Sequence, residues 1–231
     1  MRIRAGTSGF SYKEWKGRFY PEDLSNDGML GYYADRLGAV EINNTFYRMP
    51  STSALDGWAE QVPGSFRFVL KANRQITHYK RLKDEAIEPL EYFCAQATRL
   101  GDRLGPILVQ LPPNLRKDVP RLDAFLARVP AGVRTAFEFR HDSWLDDEVY
   151  HTLRGHAAAL VIAQTEEAET PLVPTADFGY LRLRKVAYEE GEVAAWADRV
   201  RSQNWAEAYV FFKHEDEATG PRLAEEFLGL L

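Results

Sequence analysis

The regular alternation of short apolar segments with amphipathic ones restricts the fold of this chain more than any other sequence feature. Strands that alternate with helices pair in parallel through right-handed crossovers, so the pattern predicts an α/β protein. The predicted strands, short and mostly rich in β-branched or aromatic residues, are Ile3–Gly6, Ala39–Ile42, Phe66–Lys71, Ile107–Leu111, Arg134–Arg140, Ala159–Ala163, Tyr180–Arg184 and Ala208–Lys213. The predicted helices, identified by amphipathic periodicity, are Met29–Leu37, Ser53–Val62, Ala86–Leu100, Arg121–Arg128, Asp146–His156, Gly191–Ser202 and Gly220–Leu231.

The number of strands and the chain length together favour a closed barrel. Eight strands in 231 residues leave about 29 residues for each strand and its connection, which suits a compact barrel. We therefore expect a single (β/α)8 TIM-type barrel domain over residues 1–231. The alternative is an open doubly wound sheet, but no Gly-x-Gly-x-x-Gly fingerprint follows the first strand.

Composition excludes several classes of protein. Hydrophobic residues make up 45% of the chain and charged residues 27%, a balance typical of a globular domain. The net charge of −5 argues against a protein that binds nucleic acids or anionic membranes through a broad basic face. A single cysteine, Cys94, cannot form an internal disulfide, and the N-terminal segment has no apolar signal region. We expect a cytoplasmic protein with no membrane partner, and a monomer.

The alternation of side chains along each strand predicts a polar lumen at one end of the barrel. One face of a barrel strand packs on helices and the other faces the lumen. In TAFEFR, for example, Phe137 and Phe139 share one face, so Glu138 and Arg140 are expected to point inward. The same reasoning places the following residues inward: Glu41, Asn43, Lys71, Gln110, Arg182 and Arg184. A barrel built for stability alone would carry Val, Ile and Leu there, so this polar set predicts a functional site.

The polar residues have chemically distinct predicted roles. Glu138, together with His141 or His78, is expected to transfer protons, and Glu41 to orient the reacting groups or share the role of base. The cations Lys71, Arg140 and Arg182 are expected to bind an anion, with Lys213 completing the cationic set. Further predicted substrate contacts are Thr7, Ser8, Asn43, Tyr47, Gln110 and Trp144. The competing interpretation is an internally satisfied ion-pair network that holds the barrel together.

No motif in the chain requires a cofactor, and the predicted set contains no metal site. The strand ends carry more cations than carboxylates, and no His-x-His or Glu-x-x-His spacing occurs. The expected partner is a small phosphorylated or carboxylated ligand that bears hydroxyl groups. Two alternatives stay open. The barrel can bind or process nucleic acid by stacking bases on Trp15, Phe46, Tyr47 and Trp144, or it can bind a ligand without catalysing a reaction.

Five segments of the sequence resemble one family. They are GTSGFSYKEWKGRFYP (Gly6–Pro21), VEINNTFYRMP (Val40–Pro50), VLKANRQITH (Val69–His78), LGPILVQLPP (Leu104–Pro113) and FEFRHDSW (Phe137–Trp144). In order and spacing they are similar to the YecE-like family, also called domain of unknown function 72, and the resemblance covers nearly the whole chain. It implies a TIM-type barrel and assigns no reaction.

Overall fold

The computed structural model describes residues 1–213 and 217–231, and eight parallel strands form its centre. All eight predicted strands are present. In chain order they are β1 (Arg2–Ser8), β2 (Ala39–Ile42), β3 (Arg67–Leu70), β4 (Ile107–Gln110), β5 (Thr135–Glu138), β6 (Ala159–Gln164), β7 (Phe178–Leu183) and β8 (Glu207–Phe212). Consecutive strands pair with each other except β3 with β4, and β8 pairs with β1. The predicted (β/α)8 TIM-type barrel is thus confirmed.

The barrel is closed by continuous strand pairing except at the seam between β3 and β4. Between β3 and β4 only two isolated bridges join the strands, Phe68 with Leu104 and Lys71 with Leu108. The backbone amide of Ala72 donates to the Leu108 carbonyl at 2.8 Å, which holds the seam together at the carboxyl ends of the two strands. Lys71 therefore lies where the barrel wall has the least backbone pairing.

Seven α-helices surround the barrel in the described part of the chain. They are α1 (Met29–Ala34), α2 (Thr52–Glu60), α3 (Ile87–Ala97), α4 (Val119–Leu126), α5 (Asp147–Gly155), α6 (Glu192–Arg201) and α7 (Thr219–Gly229). Each overlaps a predicted amphipathic stretch, although α2, α4 and α7 begin one or two residues earlier than predicted. A loop without a helix, residues 165–177, connects β6 to β7. Cys94 is buried on α3. No helix of the described residues is long and apolar enough to cross a membrane.

The predicted alternation of side chains separates the interior into two layers. One face of the strands packs under the helices, where Val109, Phe137 and Leu181 belong to the larger cluster of buried residues. The opposite face fills the lumen with a second cluster that includes Leu108, Ala136 and Tyr209. Because apolar side chains fill the middle of the lumen, polar groups are left for its two ends.

A partly buried cluster of charges closes the amino-terminal end of the barrel. Glu207 at the start of β8 forms ion pairs with Arg4 and with Arg134, the latter at 2.8 Å. The Tyr209 hydroxyl donates to the same carboxylate at 2.7 Å, and Arg134 donates to the Tyr209 oxygen at 2.8 Å. The side chain of Arg4 is only 4% exposed, so Glu207 supplies its charge partner away from water.

Removal of the carboxylate from this cluster is expected to destabilise the whole barrel. Glu207→Gln should lower the free energy of unfolding by about 3 kcal/mol, because Arg4 would stay buried without its ion pair. The matched control is Glu226→Gln, which removes an exposed partner of Arg222 and should change stability little. Chemical denaturation measures both, and equal small losses for the two variants would contradict a structural role for Glu207.

Candidate functional site

An arginine between two glutamates forms the centre of the carboxyl-terminal end of the lumen. Arg182 of β7 contacts Glu138 of β5 through Nη1, and its Nη2 lies 2.7 Å from Oε1 of Glu41 on β2. All three side chains are almost fully buried. The sequence predicted that these residues face inward, and the structure brings them into direct contact.

Glu41 receives hydrogen bonds from three further side chains. The hydroxyl of Tyr180 donates to its Oε2 at 2.7 Å, and Ser8 and Asn43 each donate to Oε1 at 3.0 Å. Burial by itself would raise the pKa of Glu41, but the charge and hydrogen bond of Arg182 lower it to about 2. A carboxylate held in this way is a permanently charged group that positions its neighbours.

A relay of hydrogen bonds joins Glu138 to Lys71. The Glu138 Oε1 accepts from Nε2 of Gln110 at 2.8 Å, and Oε1 of Gln110 accepts from Nζ of Lys71 at 2.8 Å. Although burial would raise the pKa of Glu138, Arg182 and Gln110 hold it below its usual value. Burial lowers the pKa of Lys71 to about 8, and the nearby Arg182 adds to the effect. Lys71 is thus the amine of the site that titrates near neutral pH.

These residues open onto a cleft of about 360 Å³, a volume that suits a small ligand. Arg184 has its Nη1 at 3.4 Å from the Ser8 hydroxyl, and the Arg140 side chain, 50% exposed, reaches Glu138 at 3.5 Å. The cleft lining comprises Ser8, Tyr12, Asn43, Asn44, Phe46, Tyr47, Lys71, Gln110, Arg140, Arg182 and Arg184. Four cations therefore surround two carboxylates, and positive charge is in surplus.

The loop after β1 forms one wall of this cleft. Gly9 adopts a φ of 99°, and a Cβ atom there would lie 2.3 Å from the Tyr12 hydroxyl. That hydroxyl donates to the backbone carbonyl of Ser8 at 2.7 Å and closes the loop on itself. Glycine is thus required for both the backbone conformation and the close approach. The sequence Gly-Phe-Ser-Tyr after the strand places a phenol at the edge of the cleft.

A second, more apolar groove adjoins the cleft. It has a volume of about 790 Å³ and is lined in part by Phe10, Met49 and Trp58. The two cavities share Tyr12 and Tyr47, as well as two asparagines, Asn43 and Asn44. A ligand with an anionic group in the cleft can therefore extend an apolar group along the groove.

Three predicted site residues do not line the cleft because the fold uses their side chains elsewhere. The Thr7 hydroxyl donates to the Gly9 carbonyl at 2.6 Å, and the residue packs against the hydroxyl of Tyr33 beneath the helices. Trp144 is 1% exposed, stacks on Phe139 and donates to the Leu115 carbonyl at 2.7 Å. His141 accepts from the Ser143 amide at 3.1 Å and caps a short helical turn.

Two other predicted residues lie just outside the cleft lining. His78 lies on a π-helical turn, Gln75–Tyr79, and its ring contacts the edge of Phe46 with the centroids 4.8 Å apart. Burial and the charge of Lys71 lower the pKa of His78. Lys213 follows β8 and is partly buried, but it does not line the cleft.

The structure adds Tyr180 to the predicted set, and it places Arg184, which the sequence predicts to face inward but to which it assigns no role, in the cleft lining. Both share the inward face of β7 with Arg182, since they precede and follow it by two residues. The two-residue period of the strand already predicts that Tyr180 faces inward. Because its ring is mostly apolar, the sequence does not identify it as a hydrogen-bond donor of the site. No group of three or more His, Cys, Asp or Glu residues in the described part of the chain is arranged to hold a metal ion.

Fold and site together define a parallel α/β barrel with a polar pocket at the carboxyl ends of its strands, the usual place for sites in this architecture. The same fold occurs in a xylose isomerase domain containing protein from Salmonella typhimurium LT2, with 12% identity, a TM-score of 0.58 and coverage of 98% of this chain and 94% of that one. The model of the protein of unknown function DUF72 matches residues 4–231, and the chain belongs to that family.

Two relatives agree with this assignment. The DUF72 family protein TM1631 of Thermotoga maritima MSB8 is 29% identical, with a TM-score of 0.86 over 100% of this chain and 99% of that one. The UPF0759 protein YunF of Bacillus subtilis (strain 168) is 24% identical over 138 residues, which are 57% of this chain. The match spans 49% of YunF, about half the length of that curated relative.

Replacement of Arg182 is expected to reverse the response of stability to acid. In the wild type the lowered pKa of Glu41 means that its contribution is present at neutral pH and is lost as pH falls from about 4.5 towards 2. In Arg182→Met, burial without a cation should raise the pKa of both glutamates. Stability should then fall as pH rises from 4 to 7, by about 3 kcal/mol at pH 7 relative to the wild type.

Denaturation curves at pH 4, 5.5 and 7 measure this reversal. Arg222→Met, which removes an exposed partner of Glu226, is the matched control and should follow the wild type at every pH. A variant at position 182 that loses the same stability at pH 4 as at pH 7 would show that lost packing, and not unpaired carboxylates, causes the effect.

Proposed function

We propose that the cleft binds a small metabolite with a phosphate or carboxylate group and hydroxyl groups, and that the protein is an enzyme that acts on it. The observation that carries this proposal is the charge surplus of the cleft. Arg182 is engaged by Glu41 and Glu138, whereas Lys71 and Arg184 form no ion pair within the described residues. A phosphate monoester carries a charge of about −1.5 to −2 near neutral pH, which matches that surplus.

The remaining lining groups suit a hydroxylated ligand. Asn43 uses its amide nitrogen on Glu41, which leaves its carbonyl oxygen as an acceptor, and Asn44 and Tyr47 are exposed beside it. Amides and phenols at the mouth of a cleft supply the donors and acceptors that sugar-like hydroxyls require. The net charge of the whole protein is −5, so the positive cleft contrasts with its surroundings and attracts anions selectively.

The proposal assigns proton transfer to groups other than the two glutamates. Both carboxylates are tied to Arg182 and have lowered pKa values, which suits them to positioning more than to exchange of protons near neutral pH. Lys71, with a pKa of about 8, is the better matched group in the cleft. His78 contacts Phe46 next to the cleft and does not line it, so it is the less well placed of the two.

The nucleic-acid alternative has less support. Of the four aromatic residues that would stack on bases, Trp15 and Trp144 are buried in the core. Tyr47 is 64% exposed and Phe46 partly so, which leaves one short platform. Binding of a single-stranded oligonucleotide with a steep dependence on salt would favour this alternative over a small metabolite.

Thermal shift with matched ligands tests the proposed function. Ribose 5-phosphate should stabilise the protein and ribose should not, because only the former carries the anion. A ligand at 100 times its Kd adds about 2.7 kcal/mol to the free energy of unfolding. Arg184→Gln should weaken binding of ribose 5-phosphate roughly 10-fold to 100-fold, as expected for one charged hydrogen bond.

The control is Arg128→Gln, which alters an exposed arginine paired with Glu91 outside the barrel and should bind like the wild type. Equal shifts with ribose and ribose 5-phosphate would contradict an anion site. Recovery of every bound ligand chemically unchanged, across a set of phosphorylated and carboxylated metabolites, would favour a binding protein over an enzyme.

A further inference from the structure

Lys71 occupies an unusual position for a lysine in a charged cleft. Its Nζ donates to the neutral amide oxygen of Gln110 at 2.8 Å and lies 4.6 Å from the centroid of the Phe46 ring. No carboxylate of the described residues forms an ion pair with it. The two glutamates that could neutralise this charge are both turned to Arg182. The amine is therefore held by a neutral acceptor and an aromatic face, with no carboxylate in the described part of the chain bound to it.

The backbone around Lys71 fixes its side chain with respect to the cleft. Lys71 pairs with Leu108 across the seam between β3 and β4, and its amide donates to the Ile42 carbonyl at 3.1 Å. The Thr45 hydroxyl lies 2.7 Å from the Lys71 carbonyl and joins the loop after β2 to the end of β3. The amine is thus presented to the cleft from the carboxyl end of a strand, the usual origin of reactive groups in such barrels.

We propose that Lys71 is a nucleophilic amine that forms an imine with the aldehyde or ketone group of an anionic ligand bound in the cleft. This inference rests on the proposed function, because Arg140 and Arg184 would hold the anionic group while the carbonyl carbon meets Lys71. It goes further in naming the substrate class, a small carbonyl compound that carries a phosphate or carboxylate, and the atom that reacts with it.

The chemistry is balanced without any redox partner. The neutral amine adds to the carbonyl carbon, a C–N bond forms, and the carbonyl oxygen takes up a proton to become a hydroxyl. That hydroxyl leaves as water with the loss of a proton from nitrogen, which yields the imine. One water is released, nothing is oxidised or reduced, and hydrolysis returns the free lysine.

Burial, with a contribution from the neighbouring arginines, keeps part of the Lys71 amine neutral. The charges of Arg182 and Arg184 on the β7 side oppose protonation of Lys71. The carboxylates Glu41 of β2 and Glu138 of β5 favour it. Burial of the amine has a larger effect on its pKa than any of these four charges. His78 lies against the Phe46 ring, and Arg140, Tyr12 and Tyr47 are the other charged or titratable groups that line the cleft with Lys71. With a pKa of about 8, about a quarter of Lys71 is neutral at pH 7.5, compared with about one in a thousand for an ordinary lysine.

Reductive trapping tests the inference on the whole protein. Glyceraldehyde 3-phosphate and sodium cyanoborohydride are added at pH 7.5, and peptide mapping by mass spectrometry locates the reduced adduct. We expect Lys71 to be labelled at least about 10-fold more than any exposed lysine at low probe concentration. Lys71→Arg, which keeps the charge, should lose this label, whereas Lys83→Arg, an exposed position, should keep it.

Labelling spread evenly over exposed lysines, with none preferred at Lys71, would overturn the inference. If Lys71→Arg fails to fold, the position of the label in the wild-type protein still tests the inference. Labelling of Lys71 should also decline as the pH is lowered from 8 to 6. Glyceraldehyde without phosphate separates the two proposals. Selective labelling of Lys71 that does not depend on the phosphate supports the reactive amine and contradicts the anion site. Binding of the phosphorylated compound without labelling of Lys71 supports the anion site and contradicts the reactive amine.

Discussion

The ion pairs of Arg182 with Glu41 and Glu138 are the interaction on which the rest of this structure depends. They join β2, β5 and β7 across the lumen, in a place where other barrels of this type pack aliphatic side chains. Three buried charges in contact are tolerated because the arginine is paired with both carboxylates and each carboxylate accepts further hydrogen bonds. Once the arginine is taken by the two carboxylates, the other cations of the cleft have no internal partner of equal strength. The same contacts that stabilise the barrel therefore leave its mouth positively charged.

The two ends of the lumen use the same type of interaction in opposite ways. At the amino-terminal end one carboxylate, Glu207, is shared by Arg4 and Arg134, and the Tyr209 hydroxyl completes the cluster. At the carboxyl-terminal end one arginine is shared by two carboxylates, and further cations line an open cleft. An apolar layer that includes Leu108 and Ala136 lies in the middle of the lumen. We infer that the first cluster closes the barrel, whereas the second supports a site.

The fold and the centre of the site follow from sequence periodicity, while the outer parts of the site do not. A period of two places Glu41, Glu138 and Arg182 inward without any knowledge of their contacts. Trp144 looked equally available in the sequence, yet its indole donates to the carbonyl of Leu115, 29 residues earlier in the chain. Such pairing of distant segments leaves no local signal. For the same reason the sequence did not show that the Tyr33 hydroxyl would accept from the amide of Thr7 at 2.8 Å.

The properties of Lys71 show why a site of this kind needs the whole barrel. Its amine lies over the ring of Phe46 from the loop after β2 and donates to Gln110 of β4, and the arginines that oppose its protonation belong to the β7 side. No short segment contains these groups together. An anion bound near Arg140 and Arg184 would also favour the protonated lysine, since opposite charges stabilise the charged form. A ligand with its anionic group on the arginines and its uncharged carbonyl group beside the lysine can be bound while the lysine stays partly neutral. The width of the cleft then determines which ligands reach both positions.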